Sequence, residues 1–166
     1  HWRGRKRHRQ LSDIDRRRLD ILPQQARLAD LTVVRHPATP EEVSSSDTLH
    51  AVLFDSGRPL LIAPQVAPTT IGRRICLGWN GSAESTAAVE AAMPWLQRAE
   101  AVRILWAEEY QRRGPRAPEL QAYLAMHGVP ADLKMFKPID NIVGAGLLRA
   151  CQGSIARSER LEGLMV

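Results

Sequence analysis

Residues 75–107 read ICLGWNGSAESTAAVEAAMPWLQRAEAVRILWA, and this stretch decides the fold. The apolar run at residues 75–79 predicts a buried strand, the turn at residues 80–82 follows it, and residues 83–99 have the pattern of an amphipathic helix. A second apolar run at residues 102–107 predicts another strand. Because a strand, a helix and a strand in this order form a parallel pair with a crossover helix, we expect a mostly parallel α/β sheet.

The same alternation of strand and helix patterns continues on both sides of this stretch. The further elements predicted are helices at 21–30, 119–127 and 141–152, and strands at 31–34, 59–64 and 131–136. Another helix ends near Asp55 and is expected to begin at Thr39 or Ser44, either of which could cap it. The fold class predicted is α/β, a Rossmann-like sheet of about five mostly parallel strands with flanking helices.

The positive charge of the chain is concentrated in a basic tail, residues 1–20, and the rest of the chain, its body, has no net charge. Residues 1–20 hold eight Lys or Arg against three Asp, whereas the remaining residues hold fifteen of each sign. We expect the tail to be a solvated, disordered charge run. The alternative is that residues 1–9 form an arm that binds nucleic acid or another polyanion. Because the body is neutral, a nucleic-acid partner is not our expectation.

Several classes of protein are excluded by features that the sequence lacks. No apolar stretch approaches the roughly 20 residues of a transmembrane helix, and no export signal follows the basic start. We therefore expect a cytoplasmic protein that does not bind membranes. Cys76 and Cys151 are far apart in the sequence, and we expect buried, reduced thiols rather than a disulfide.

No metal site or catalytic constellation is predicted. Neither the cysteines nor the scattered histidines have the spacing of metal ligands. Glu108 and Glu109 are adjacent carboxylates in a charged loop, and such pairs are normally solvated rather than catalytic. The protein is therefore not expected to be an enzyme.

Two regions resemble the universal stress protein family. The residues ICLGWNGSAESTAAVEAAMPWLQRAEAV, from residue 75, look like the first strand, turn and first helix of that domain. The stretches ARLADLTVVRHP, from residue 26, and LHAVLFDSGRPLLIAP, from residue 49, look like its fourth strand, fourth helix and fifth strand. The resemblance implies a UspA-like, adenine nucleotide alpha hydrolase-like fold and a role in stress response.

The order of these regions is similar to the junction of two repeats in a tandem-domain member. Residues 21–64 would be the C-terminal half of a first repeat, and residues 74–152 the N-terminal half of a second, with a linker at 65–73. Both repeats look truncated, and residues 153–166 are expected to be an irregular tail without a strand. The halves either close into one permuted domain or leave strand edges that pair with another chain, as in a homodimer.

The cofactor that the resemblance implies is ATP, in a degenerate site. ATP-binding members have a phosphate loop with a glycine, two residues, a second glycine, nine residues, and then glycine with Ser or Thr. Here the segment from residue 35 reads RHPATPEEVSSSDTLHAVLFDSGRP. The leading glycines are absent, and Asp55 with Ser56 occupies the late position, where an aspartate would repel phosphate. Ser56 stays a candidate nucleotide contact.

Asn80, Gly81 and Ser82 are the other candidate nucleotide contacts. ATP-binding members place an acid at the end of the first strand to meet the nucleoside, and Asn80 has the matching position. Its amide can hydrogen-bond a ribose or a base but supplies no charge. The alternative is structural, because Asn-Gly suits a tight turn with positive φ and Ser82 can cap the next helix.

Three functions remain open from the sequence. The first is a universal stress protein-like module that associates with itself or with a protein partner, with adenine-nucleotide binding weak or lost. The second is a polyanion binder that uses the basic arm at residues 1–9. The third is a non-functional truncated fragment.

Overall fold

The computed structural model describes residues 21–36, 47–155 and 163–165. The basic tail at residues 1–20 and the predicted helix caps Thr39 and Ser44 lie outside these ranges. The chain divides into two compact units, His1–Ala67 and Pro68–Val166. Each unit has its own parallel sheet.

The first unit contains a two-stranded sheet. Strand β1 (Thr32–Arg35) pairs in parallel with β2 (Leu60–Ala63), and helix α1 (Asp47–Asp55) lies between them in sequence. Residues 21–26 are also helical. Both strands were predicted from the sequence, at residues 31–34 and 59–64. Prolines and a glycine flank their compact apolar runs, and such runs suit short strands.

The core of the first unit is small. Among its described residues, the buried hydrophobic side chains are Ala26 and Val52. Two arginines link the segments instead: the Arg27 guanidinium donates to the Asp55 carbonyl at 3.0 and 3.2 Å, and Arg58 donates to the Arg27 carbonyl at 2.9 Å. A two-stranded sheet with so little buried apolar surface gains little stability from its own packing.

The second unit contains a four-stranded parallel sheet with the order β5-β4-β3-β6. Its elements are β3 (Arg74–Trp79), α2 (Ala83–Leu96), β4 (Ala101–Trp106), a 3₁₀ turn (Glu108–Tyr110), α3 (Ala117–Met126), β5 (Ala131–Met135), α4 (Val143–Ile155) and β6 (Gly163–Met165). Helix α2 continues through Pro94, which lies two residues before its end. At that position proline disturbs little of the helix.

Helices cover both faces of this sheet. On one face, α2 and α3 pack against β3 and β4 through a cluster of buried side chains that includes Ile75, Leu77, Val89, Leu96, Val102, Ile104, Leu120 and Leu124. On the other face, α4 contributes Ala150 and Cys151 to a smaller cluster with Cys76 and Leu105. Alternate residues of one strand thus enter different clusters, as the period of two in a strand requires.

The strand order identifies the architecture. In order of sequence within the unit, β5-β4-β3-β6 is third, second, first and fourth, which is how a doubly wound Rossmann-like sheet begins. In such sheets ligands bind beyond the carboxyl ends of the strands, where the winding reverses. That reversal lies between β3 and β6. The prediction of a parallel α/β fold is confirmed, although the strands form two sheets rather than one.

The end of the chain differs from our expectation. We predicted no strand after residue 152, but β6 pairs in parallel with β3, with Arg74 opposite Gly163 and Cys76 opposite Met165. Helix α4 also continues to Ile155. The three-residue strand has no alternating pattern that sequence analysis could detect. It forms because the second edge of β3 offers backbone N–H and C=O groups that need partners.

A matched pair of substitutions on α3 tests the location of the core. Leu124 is 0% exposed and Met126 is 79% exposed. Leu124→Ala should lower the free energy of unfolding of the second unit by about 2–5 kcal/mol, because it leaves a cavity. Met126→Ala should change it by less than about 0.5 kcal/mol. Urea denaturation monitored by circular dichroism measures both, and equal effects would contradict this core.

Candidate functional site

The turn that follows β3 lies at the carboxyl end of the sheet, beside the point where the winding reverses. It contains the candidate contacts Asn80, Gly81 and Ser82, and Ser82 leads directly into α2. The position is therefore the one at which a doubly wound sheet would hold a ligand. What the turn can bind depends on which of its polar groups already have partners.

The polar side chains of this turn already accept hydrogen bonds from backbone N–H groups of the turn and of α2. The Asn80 Oδ1 accepts a hydrogen bond from the Ser82 backbone N–H at 3.0 Å. The Ser82 hydroxyl oxygen accepts one from the Ser85 N–H at 3.2 Å and so caps α2. The Asn80 carbonyl accepts one from the Arg112 N–H at 2.7 Å. These bonds correspond to the structural alternative for Asn80 and Ser82.

A carboxylate belonging to the chain already lies at the first turn of α2. Glu84 accepts hydrogen bonds from its own backbone N–H and from the Ser82 hydroxyl, and these lower its pKa; the nearby charge of Arg112 acts in the same direction. Backbone N–H groups at a helix N-terminus attract anions, phosphate among them. Glu84 therefore already uses two of the hydrogen-bond donors at this end of α2.

The backbone of the turn is also covered. Gly81 is buried, with φ of +75°, and a Cβ added to it would meet the Gln111 side chain and lie 2.8 Å from the Pro115 carbonyl oxygen. A Cβ on Gly114 would overlap the Gly81 carbonyl. The Trp79 indole N–H donates to the same Pro115 carbonyl at 2.9 Å. The loop of residues 111–115 thus packs directly on the turn.

A small pocket lies next to this loop, at the carboxyl end of β4. Its volume is about 140 Å³, and it is lined by Trp106, Glu108, Gln111, Arg116 and Pro118. Ligand pockets of drug-sized molecules are usually about 300–1,000 Å³. The pocket is therefore too small to enclose a nucleotide in the conformation described.

The fourth candidate contact, Ser56, belongs to the first unit. It follows the last residue of α1, is 6% exposed, and its hydroxyl oxygen accepts a hydrogen bond from the Arg58 N–H at 3.1 Å. This bond closes the turn at Gly57, whose φ is +64°. A hydroxyl that is buried and used in this way has a structural role, and contact with a ligand would require the turn to open.

The described residues offer neither a metal-binding cluster nor a buried pair of carboxylates at Glu108 and Glu109. In the described ranges, no cluster of His, Cys, Asp or Glu side chains could hold a metal ion. Glu108 and Glu109 start the 3₁₀ turn after β4, and both are exposed. None of the helices in the described ranges has the length and apolar character needed to cross a membrane.

The turn was predicted from the sequence, but the loop of residues 111–115 that covers it was not. Glu84 was predicted only as part of the helix at residues 83–99. The signal for the covering loop is weak, because Gly114 and Pro115 are typical of any turn. Its proximity to Gly81 depends on the pairing of β3 with β4, which brings the two strand ends together.

Comparisons with protein-family models, with curated proteins and with solved structures found no match to this chain. The class that the fold itself defines is a parallel α/β protein with a doubly wound second unit. The resemblance to universal stress proteins stays a prediction from the sequence.

Substitutions of two glycines test whether the loop covers the turn. Gly81 and Gly128 both have positive φ, of +75° and +76°, but nothing lies within 4 Å of a Cβ added to Gly128. Gly128→Ala should lower the free energy of unfolding by about 1–2 kcal/mol, because alanine disfavours this conformation. Gly81→Ala should lower it by clearly more, since the loop must also move. If both substitutions lowered the free energy of unfolding equally in urea denaturation, the loop would not cover the turn.

Proposed function

We propose that the protein is a universal stress protein-like module of the cytoplasmic stress response that acts by association with itself or with a protein partner. In this proposal its adenine-nucleotide binding is weak or lost. The observation that carries the loss of nucleotide binding is the turn after β3, where Gln111 and Pro115 cover Gly81 and Glu84 lies at the start of α2.

The loss of nucleotide binding is supported by three features of the turn. Asn80 and Ser82 direct their acceptor atoms to backbone N–H groups of the same turn. The carboxylate of Glu84 would repel a phosphate at the first turn of α2. Because Gly81 is buried under the loop, a phosphate cannot approach its backbone without displacing the loop.

The role in association is supported by the exposed apolar side chains of the first unit. Phe54 is 75% exposed, and Val33 and Ile62 on the two paired strands are also exposed. Each strand of this sheet has one edge without a neighbour among the described residues. Apolar side chains and strand edges that are exposed together favour contact with another protein surface.

The nucleotide part of the proposal predicts no thermal stabilisation by ATP. A ligand present at a hundred times its dissociation constant stabilises the folded state by about 2.7 kcal/mol, which would raise Tm by several degrees. We expect Tm to change by less than about 1 °C in millimolar ATP with magnesium, within the scatter of matched magnesium chloride controls. A saturable rise in Tm that Ser82→Ala abolishes would contradict the proposal.

The association part predicts a specific effect of Phe54. Phe54→Ser should weaken self-association at least about tenfold in sedimentation equilibrium, because it removes a large apolar contact. Met126→Ser is the matched control, since Met126 has a similar exposure, 79%, in the second unit. A chain that stays monomeric at all concentrations would exclude self-association. If Phe54→Ser also left the affinity for a protein partner unchanged, the surface around Phe54 would have no role in association.

A further inference from the structure

Cys76 and Cys151, which are 75 positions apart in the sequence, meet in the second unit. Cys76 lies on β3 and Cys151 on α4, and both are in the buried cluster on the face that α4 covers. They are 6% and 7% exposed, and no disulfide joins them. Two thiols from different elements are thus held together by the packing of a helix on a strand.

The surroundings of the two thiols make them chemically unequal. Cys151 donates a hydrogen bond to the sulfur of Cys76, and the positive charges of Arg103 on β4 and Lys134 on β5 lie close by. These interactions outweigh burial and lower the pKa of Cys76 to about 7. The same hydrogen bond and burial raise the pKa of Cys151. Arg103 also stands directly opposite Cys76 in the pairing of β3 with β4, and this position favours Cys76 as the thiol that ionises first.

The two cations are held in place by their own contacts. Arg103 forms an ion pair with Asp132 on the neighbouring strand, with 3.3 Å between nitrogen and oxygen. The Lys134 ammonium donates to the Ala150 carbonyl at 3.2 Å, directly beside Cys151. The charges next to the sulfur atoms therefore belong to an ordered part of the sheet and helix.

We propose that Cys76 and Cys151 form a redox-active pair that a small peroxide converts into an intramolecular disulfide between β3 and α4. The Cys76 thiolate attacks one oxygen of hydrogen peroxide, the O–O bond breaks, and hydroxide leaves, so that Cys76 becomes a sulfenic acid. The Cys151 sulfur then attacks the Cys76 sulfur. The S–O bond breaks, and the oxygen leaves as water with the proton of Cys151.

The proton that Cys76 loses on ionising combines with the hydroxide, so two thiols and one peroxide give one disulfide and two water molecules. The two sulfur atoms together lose two electrons, which the peroxide accepts. Because both side chains are nearly covered, hydrogen peroxide suits the site better than a bulky disulfide oxidant. A dithiol reductant would return both cysteines to thiols by thiol–disulfide exchange and would itself become a disulfide.

The disulfide would connect α4 covalently to the central strand of the sheet. It would close a loop that includes β4, α3 and β5, and such a crosslink restricts the unfolded chain. Oxidation should therefore raise the Tm of the second unit, by roughly 10 °C for a typical disulfide in a domain of this size. This inference is independent of the association proposed for the first unit.

The test uses the full chain under native conditions. The purified, reduced protein is treated with hydrogen peroxide, digested without reduction, and mapped by mass spectrometry. We expect a peptide pair joined through Cys76 and Cys151, a higher Tm, and return to the starting Tm after dithiothreitol. Two intact thiols after treatment, a disulfide between chains, a disulfide formed only in urea, or a lower Tm would overturn the proposal.

Variants distinguish the roles of the two thiols and of Arg103. Cys151→Ser should accumulate a sulfenic acid at Cys76 that dimedone traps, whereas Cys76→Ser should give no trapped product at Cys151. Arg103→Gln should slow oxidation at pH 7 by at least about twofold, because a rise of half a unit in the pKa of Cys76 from about 7 halves its thiolate fraction. Arg73→Gln, which removes the ion pair with Glu100, is the control and should leave the rate unchanged. Equal trapping at both cysteines, or equal rates for both arginine variants, would contradict the assignment.

Discussion

The parallel pairing of β3 with β4 is the constraint on which the rest of the second unit depends. It aligns six residues of each strand, from Arg74 opposite Ala101 to Trp79 opposite Trp106. A parallel pair must be joined by a crossover, and α2 supplies it while burying Val89 and Leu96 against the sheet. The pairing also brings the ends of both strands together. For this reason the loop after β4 lies on the turn after β3.

The elements of the fold were predictable wherever the sequence has a clear period. Apolar runs bounded by turn residues predicted β1 to β5, and the helical pattern predicted α2, because burial of one face decides both. The 3₁₀ turn at Glu108–Tyr110 and strand β6 were missed. The order Gly-Leu-Met carries no strand signal of its own, and its pairing with β3 is a tertiary effect. The division of the strands into two sheets was one of two alternatives left open, because no local pattern shows which strands pair.

The candidate site was predictable only as a list of residue types. Asn80, Gly81 and Ser82 were identified from the resemblance to universal stress proteins, in which Asn80 has the position of an acid that meets the nucleoside. Both a binding role and a structural role fitted the same three residues. Contacts over long sequence distances distinguish these roles. Gly114 approaches Gly81 from 33 positions away, and Cys151 reaches Cys76 from 75 positions away. Neither contact can be predicted from a local sequence pattern, because each depends on the order of the strands in the sheet.

The unequal cores of the two units have a thermodynamic consequence. The second unit buries a large cluster of aliphatic side chains, whereas the described part of the first buries mainly Ala26 and Val52. Local opening free energies follow buried apolar contacts, so we expect the amide hydrogens of β1 and β2 to exchange through local opening more readily than those of β3 and β4. A molecule that binds the ordered form of the first unit can bind only the fraction of molecules in which β1 and β2 are ordered. Its apparent affinity is reduced by the ordered fraction, so any change that orders β1 and β2 strengthens binding without adding a contact.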